Sequence, residues 1–253
     1  MRLSTYDIII LSILTFIGCK SKSEEYFEKG YLEKDPRMKI EYYSKAINAD
    51  SKNYAAYINR GQVYKQIGKI ENAIKDYNKA LSYNPKSSSA FNNLGVVHGE
   101  LGLHEKAIEY FSSAIVYEPN DASLYYNRGN EKYELKRYKE AIIDFDESIK
   151  LDSSYCWAFY IRGVCYEELG KNKYAIDNYK KALELSPDEL KFYYSISRNY
   201  ALQNKVNESL SYLDILFKKG FNDFEFLNKD NAWSKIKKAP KLITLISKYN
   251  NKK

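Results

Sequence analysis

Apolar and small residues recur at helical spacing along most of this chain. From Tyr54 to Asp188 they come in four copies, each with two amphipathic segments joined by a short polar stretch. In the fourth copy the first segment carries Phe159, Gly163 and Tyr166 at i, i+4 and i+7, the spacing of one face of an α-helix. The pattern therefore predicts a pair of helices in every copy.

The four copies are in phase at a spacing of 34 residues. Small residues of the first segment occupy one column, which is Gly61, Gly95, Gly129 and Gly163. Those of the second segment occupy another, which is Ala73, Ala107, Ala141 and Ala175. An aromatic residue follows each of these alanines by four positions, as in Tyr77, Phe111, Phe145 and Tyr179. A fixed period of this length is typical of a solenoid of repeated helical units.

These columns resemble the tetratricopeptide repeat. The first copy has the family's order of aromatic, glycine, alanine and proline positions, in Tyr57, Gly61, Tyr64, Ala73, Tyr77, Ala80 and Pro85. The third copy departs from it at Lys132, Ser148 and Ser153. The resemblance implies an all-α fold, a right-handed α-solenoid of antiparallel helix pairs whose concave groove binds another protein.

The repeats divide most of the chain. Regular copies are expected at 54–87, 88–121, 122–155 and 156–189, a shortened copy at 24–53, and a degenerate copy at 190–222. Residues 223–253 are expected to form capping helices, because Leu242, Leu245, Ile246 and Tyr249 share one face that needs a covering partner. Three glycines just beyond first helices are expected to adopt the left-handed conformation that ends a helix, which are Gly68, Gly102 and Gly170.

The N-terminal segment has the features of a targeting sequence. Arg2 precedes an apolar run from Ile8 to Ile17, which is too short to span a bilayer as a helix. Gly18 and Cys19 then resemble a bacterial lipoprotein cleavage site. The resemblance implies a signal peptide over 1–18, lipid attachment and acylation at Cys19, and a tether over 19–23. It also implies a lipid-anchored protein of the bacterial envelope, on the periplasmic or surface side and not in the cytoplasm. An ordinary secretory signal and an uncleaved anchor remain the alternatives.

Composition adds little to this interpretation. The net charge of +7 is modest, and lysines alternate with acidic residues as on solvated helix faces. No nucleic-acid motif accompanies the basic residues, so no nucleic-acid partner is expected.

Cys156 and Cys165 are nine positions apart on one predicted helix. Their Cα atoms would be about 13–14 Å apart, which is too far for a disulfide. His98 and His104 lack convergent ligands, so neither a metal nor a cofactor is expected.

The resemblance to the tetratricopeptide repeat implies that the binding surface is the groove lined by the first helix of each repeat. Its candidate residues, in chain order, are Ile58, Gln62, Asn92, Val96, Tyr126, Asn130, Tyr133, Trp157, Tyr160, Val164, Tyr194 and Arg198. The later part is aromatic, and aromatic residues with arginine nearby are common anchors of protein interfaces. Local packing of large side chains is the alternative for any one of them. Two neighbouring columns are expected to serve structure rather than ligand, with the asparagines bonding between repeats: Asn59, Asn93 and Asn127, and Arg60, Arg128 and Arg162.

No catalytic signature is present in the sequence, neither a glycine-rich phosphate loop nor a nucleophile elbow. The sequence thus favours a non-catalytic interaction scaffold in the bacterial envelope that binds a protein or peptide segment. A structural assembly subunit that binds through its outer face is one alternative. An enzyme or glycan binder with an unrecognised site is another.

Overall fold

The computed structural model describes residues 20–225 and 229–250. Within these ranges all regular secondary structure is helical, and turns or loops connect the helices. The first two helices are α1 (Lys22–Leu32) and α2 (Pro36–Ala49). The next four are α3 (Tyr54–Gln66), α4 (Ile70–Tyr83), α5 (Ser88–Glu100) and α6 (His104–Tyr117). They are followed by α7 (Ala122–Glu134), α8 (Tyr138–Leu151), α9 (Cys156–Glu168) and α10 (Asn172–Leu185). The last are α11 (Leu190–Leu202), α12 (Val206–Lys218), a 3-10 turn (Asn231–Trp233) and α13 (Pro240–Asn250). The predicted all-α fold is confirmed.

The helices fall into two compact units, divided between Glu118 and Pro119. The first unit contains the pairs α1–α2, α3–α4 and α5–α6. The second contains α7–α8, α9–α10 and α11–α12, followed by the C-terminal segment with α13. Within each unit the two helices of a pair form the largest contacts, and the second helix of one pair packs on the first helix of the next.

Each regular pair is closed by an aromatic ring that lies on a glycine. A Cβ added to Gly61 would lie 2.6 Å from Cε1 of Tyr77, and one added to Gly129 would lie 2.9 Å from the same atom of Phe145. Because the Tyr77 ring is fully buried, it cannot move aside for a larger residue. The columns of glycine and aromatic residues therefore set the distance between the two helices of a pair.

The first helix of each regular pair ends on a left-handed residue. Gly68, Gly102 and Gly170 have φ values of 76°, 73° and 70°, as the sequence predicts. Lys136 and Asn204 occupy the corresponding position in other pairs, with φ values of 59° and 57°. The turn is the same throughout, since Lys136 N bonds Tyr133 O just as Gly68 N bonds Lys65 O. A side chain is thus accommodated at a position that favours glycine.

The C-terminal segment covers the end of the last helix pair. Trp233 and Ile236 are fully buried in a core that also contains Leu213 and Phe217 of α12. Helix α13 packs its apolar face on α12, which is the covering role that the sequence predicts for this helix. Two side-chain hydrogen bonds join these helices, one from Lys241 to Asn207 Oδ1 and one from Lys248 to Asp214 Oδ1.

Candidate functional site

In the first unit, the predicted groove positions present a modest surface. Ile58 is only 6 % exposed, and it belongs to the core between the first two pairs. Gln62 is exposed, while Asn92 and Val96 are half-buried. These positions of α3 and α5 therefore offer no large exposed aromatic side chain.

In the second unit, the accessible aromatic residue of the predicted set is Trp157 at the start of α9. Its side chain is 36 % exposed, and its ring meets Tyr160 at 5.8 Å and Phe192 at 5.4 Å, both edge-on. Tyr160 itself is 6 % exposed and packs on Phe192 at 5.1 Å. Tyr160 is therefore a buried residue that packs against Trp157, although both were expected to face a partner.

The other groove positions of α7 and α9 are half-buried. Tyr126 packs on Tyr155 with a ring separation of 4.7 Å, and Tyr133 packs on Tyr138 at 5.8 Å. Asn130 and Val164 are half-buried as well. Packing within the unit therefore accounts for much of the surface of these two tyrosines.

An apolar cleft of about 450 Å³ is lined by Leu190, Lys191 and Tyr194 of α11 and by Phe221. The same helix carries Phe192, which contacts Trp157. Lys191 occupies the same column as Trp157 on the next first helix, and its Nζ lies 5.1 Å from the centre of the Tyr160 ring. We call the exposed surface formed by Trp157 and the four residues that line the cleft the Trp157 face. It combines large apolar side chains with a single exposed cation.

Arg198 and Tyr194 bind the C-terminal segment of the chain itself. Arg198 Nε donates to Asp230 Oδ2 at 2.6 Å, and Tyr194 OH donates to the same oxygen at 2.9 Å. Arg198 also donates to Glu167, which accepts a further hydrogen bond from Tyr179 OH at 2.8 Å. Two predicted groove residues are therefore occupied by an internal network that joins α9, α11 and the 3-10 turn.

The hydrogen bonds of this network favour the ionised form of Asp230. Burial by itself raises the pKa of Asp230, but the hydrogen bonds from Arg198, the Ala232 amide and Tyr194 outweigh it and lower the pKa overall. Burial, followed by the hydrogen bond to Asp230, raises the pKa of Tyr194 to about 12. The arrangement is an ion pair with a neutral phenol and shows no group poised for acid–base chemistry.

The arginine column that was expected to be structural makes ion pairs or hydrogen bonds within its own repeat and, for Arg60 and Arg162, with the preceding one. Arg60 binds Asp76 through two hydrogen bonds of 2.8 Å, and it also donates to Ser44 of the preceding pair. Arg128 binds Asp144 in the same way, and Lys132 adds a contact of 2.8 Å to that acid. Arg162 donates to Asn178 and forms an ion pair with Asp146 of the preceding pair. The partners of this column therefore lie 16 residues after or before each arginine, a spacing that was present in the sequence but was missed.

The asparagine column behaves differently from its prediction. Asn59 and Asn93 each donate to the backbone carbonyl four residues earlier in their own helix, at 2.9 Å. These bonds lie within one helix, whereas the sequence suggested bonds between repeats. The amide side chain is long enough to reach the carbonyl of its own preceding turn, and this local bond is the one that forms.

The cysteines and His98 behave as core residues. Cys156 and Cys165 are free thiols, and burial raises the pKa of Cys165 to about 12. His98 is buried, with Nδ1 2.8 Å from Leu94 O and its ring 4.9 Å from Tyr110. Across residues 20–225 and 229–250, no group of three or more His, Cys, Asp or Glu side chains is arranged to hold a metal ion.

The predicted lipidation site, Cys19, lies outside the described residues, as does the predicted signal peptide. Among the helices that are described, none combines the length and the apolar character needed to cross a membrane.

Comparison with known proteins places these repeats in a recognised family. Family models described as tetratricopeptide repeat match residues 88–121, 122–155 and 156–189, and one described as TPR repeat matches 61–102. No curated protein matches the chain.

Three solved structures illustrate the similarity of fold. MamA is 26% identical, with 63% of this chain and 93% of that chain covered and a TM-score of 0.60. YrrB, described as a TPR protein with an unusual peptide-binding site, is 21% identical, with 75% and 98% covered and a TM-score of 0.64. A tetratricopeptide repeat protein from Parabacteroides merdae is 19% identical, with 90% and 98% covered and a TM-score of 0.68.

Proposed function

Because this chain belongs to the tetratricopeptide repeat family, we propose that it is a non-catalytic scaffold that binds a segment of another protein. The binding surface is the Trp157 face of the second unit. The observation that carries this proposal is the exposure of Trp157, whose ring contacts the buried Phe192 on α11, the helix that also lines an apolar cleft. A large aromatic residue that remains exposed on a rigid base is the usual anchor of a protein interface.

The chemistry of the face indicates the kind of segment that it fits. The cleft is lined by Leu190, Tyr194 and Phe221, so it accepts an apolar side chain from the partner. Lys191 is exposed at the edge of the cleft, and no ion pair involving it is found among the described residues. A partner segment with an apolar residue next to an acidic one would satisfy both features.

The same proposal includes attachment to the membrane. Cys19 would carry the lipid, and only Lys20 and Ser21 would separate it from α1, which begins at Lys22. The predicted tether over 19–23 is therefore too long, because Lys22 and Ser23 already belong to the helix that Ser21 caps. More than one acyl chain is needed for a stable anchor, which is what lipoprotein processing supplies. The scaffold would then act in the bacterial envelope, on the periplasmic or surface side.

A second candidate is a structural subunit that assembles through its second helices. It is favoured by large apolar side chains that remain exposed there, Ile143 of α8 at 62 % and Tyr174 of α10 at 57 %. Either of these could contact a neighbouring subunit without involving the Trp157 face.

One capture experiment separates the two candidates. Tagged wild-type protein, Trp157→Ala and Tyr174→Ala are each used to isolate binding proteins from envelope extracts. Tyr174→Ala is a matched control, because it also removes an exposed aromatic side chain from the second unit. A protein that is captured by wild type and Tyr174→Ala, but not by Trp157→Ala, supports the scaffold. A captured protein that is lost only with Tyr174→Ala supports the assembly subunit. Equal capture by all three proteins contradicts both candidate functions.

A further inference from the structure

The formal charge of this chain is concentrated at its C-terminal end. Residues 218–253 contain ten lysines, no arginine and three acidic residues, so they account for the whole net charge of +7. The residues before Lys218 carry equal numbers of basic and acidic side chains. The repeats are therefore neutral overall, and the segment that follows them is strongly basic.

Lysines of the C-terminal segment contact both sides of the turn between α11 and α12, which itself contains Lys205. Lys235 Nζ lies 3.4 Å from Leu202 O at the end of α11, and Lys241 Nζ donates to Asn207 Oδ1 at the start of α12. We call five exposed side chains of this region the basic end patch, which consists of Lys205, Lys235, Lys237, Lys238 and Lys241. Its nearest acidic residue in sequence is Glu208, in the first turn of α12.

The patch is held on a rigid base. Trp233 and Ile236 of the same segment are fully buried, so the backbone that carries Lys235 and Lys237 is fixed to the core of the second unit. Lys237 and Lys238 are exposed, and the structure gives neither an ion pair with any residue that it describes. Uncompensated positive charge is thus presented to solvent at a defined place.

The chemistry of the patch fits a diffuse anionic surface. Lysine is a flexible point charge and lacks the planar fork with which arginine grips a single carboxylate or phosphate. Trp233 is buried, so it offers no platform for stacking nucleic-acid bases. Clusters of four to eight basic residues of this kind adsorb to membranes that contain anionic lipid, each lysine contributing about fivefold in affinity.

We propose that the basic end patch binds the surface of a membrane that contains anionic phospholipid. The contact is electrostatic, and it is separate from the Trp157 face and from any lipid at Cys19. It adds a membrane contact at the C-terminal end of the chain, where neither the repeats nor the targeting segment indicates one.

The test uses residues 20–253, which retain all thirteen helices that the structure describes and lack the predicted signal peptide and Cys19. This protein is mixed with vesicles of phosphatidylcholine that contain phosphatidylglycerol, or with vesicles of phosphatidylcholine alone. Binding is measured by co-sedimentation. Two variants are compared, Lys237→Gln with Lys238→Gln, and Lys139→Gln with Lys173→Gln. Both double variants remove two positive charges from exposed sites of the second unit.

The proposal predicts binding to the anionic vesicles only, and its loss as salt is raised. Replacement of Lys237 and Lys238 should weaken that binding by about 30-fold, and replacement of Lys139 and Lys173 should leave it nearly unchanged. Equal weakening by both variants would show a net-charge effect and overturn the proposal. So would equal binding to both vesicles, absence of binding to either, or a stronger attachment to soluble polyglutamate. A result of either sign leaves partner capture at the Trp157 face unaffected.

Discussion

Arg198 of α11 and Asp230 of the C-terminal segment form an ion pair with Nε and Oδ2 2.6 Å apart. Both side chains are largely buried, at 28 % and 21 % exposure, and Arg198 also binds Glu167 of α9. One arginine thus ties the C-terminal segment to two successive first helices, at positions that the sequence assigned to a partner.

We expect Asp230→Asn to destabilise the second unit by about 1.5–3 kcal/mol, because it removes a charged acceptor from a largely buried arginine. The exposed pair of Asp188 with Lys219 is the matched control, and Asp188→Asn should change stability little. Urea unfolding followed by circular dichroism measures both variants.

The pKa of Asp230 is lowered in the folded state. Its contribution to the free energy of unfolding is therefore present above the unfolded pKa of about 3.9 and is lost as pH falls through the folded value. The difference between wild type and Asp230→Asn should therefore shrink below about pH 4; a difference independent of pH would refute the ion-pair explanation.

The pair formed by Arg60 and Asp76 should be replaceable by the apolar pair of the next repeat. Leu94 and Tyr110 occupy the equivalent positions there, and Leu94 is fully buried. Asp76→Ala should cost about 3 kcal/mol or more, because Arg60 loses its partner.

The double substitution Arg60→Leu with Asp76→Tyr should cost less than Asp76→Ala alone. A double-mutant cycle in urea measures the coupling of the two sites. Additive effects would show that the charges act independently, contrary to this interpretation.

Lys136 is expected to be a position where glycine stabilises the protein. Its φ of 59° places a side chain in the left-handed region, at a cost of about 1–2 kcal/mol relative to glycine. Allowing for the greater freedom of glycine in the unfolded chain, Lys136→Gly should raise stability by about 0.5–1 kcal/mol. Asn204→Gly is the control and should gain less, since asparagine tolerates this conformation. Thermal melts that show no gain at Lys136 would contradict this expectation.

The proposed anchor is tested at Cys19. Cys19→Ser should move the protein out of the membrane fraction and abolish its labelling by a fatty-acid probe, because the sulfur that would carry the lipid is gone. Fractionation and in-gel detection of the probe measure these two outcomes. Cys156→Ser is the matched control: it removes a cysteine of α9 and keeps Cys19, so it should remain in the membrane fraction and be labelled like wild type. Persistent membrane association with labelling in Cys19→Ser would exclude the lipoprotein interpretation.

The helix pairs were predictable because their signals are local. A glycine, an alanine and an aromatic ring at fixed spacing are enough to place two helices against each other, and Gly61 with Tyr77 shows the contact directly. The exposure of each groove position was not predictable. Trp157 and Tyr160 are three residues apart on one helix and both contact Phe192 of the next pair, but Tyr160 is also covered by Tyr179 of its own pair.

The C-terminal segment was the least predictable part of the candidate site. The sequence predicts capping helices over 223–253, but no pattern in it indicated that Asp230 would reach Arg198 and Tyr194. The repeat columns still pointed to these two positions as binding residues. They do bind a carboxylate, and it belongs to the chain itself.

The most direct test of the central claim is photo-crosslinking from the Trp157 face in intact cells. A photoreactive phenylalanine analogue replaces Trp157 in one strain and Tyr174 in another, so that both probes sit at exposed aromatic positions of the second unit. The proposal predicts a discrete crosslinked protein from position 157 that is absent from position 174. Crosslinking from position 174 alone, or identical products from both positions, would contradict partner binding at the Trp157 face.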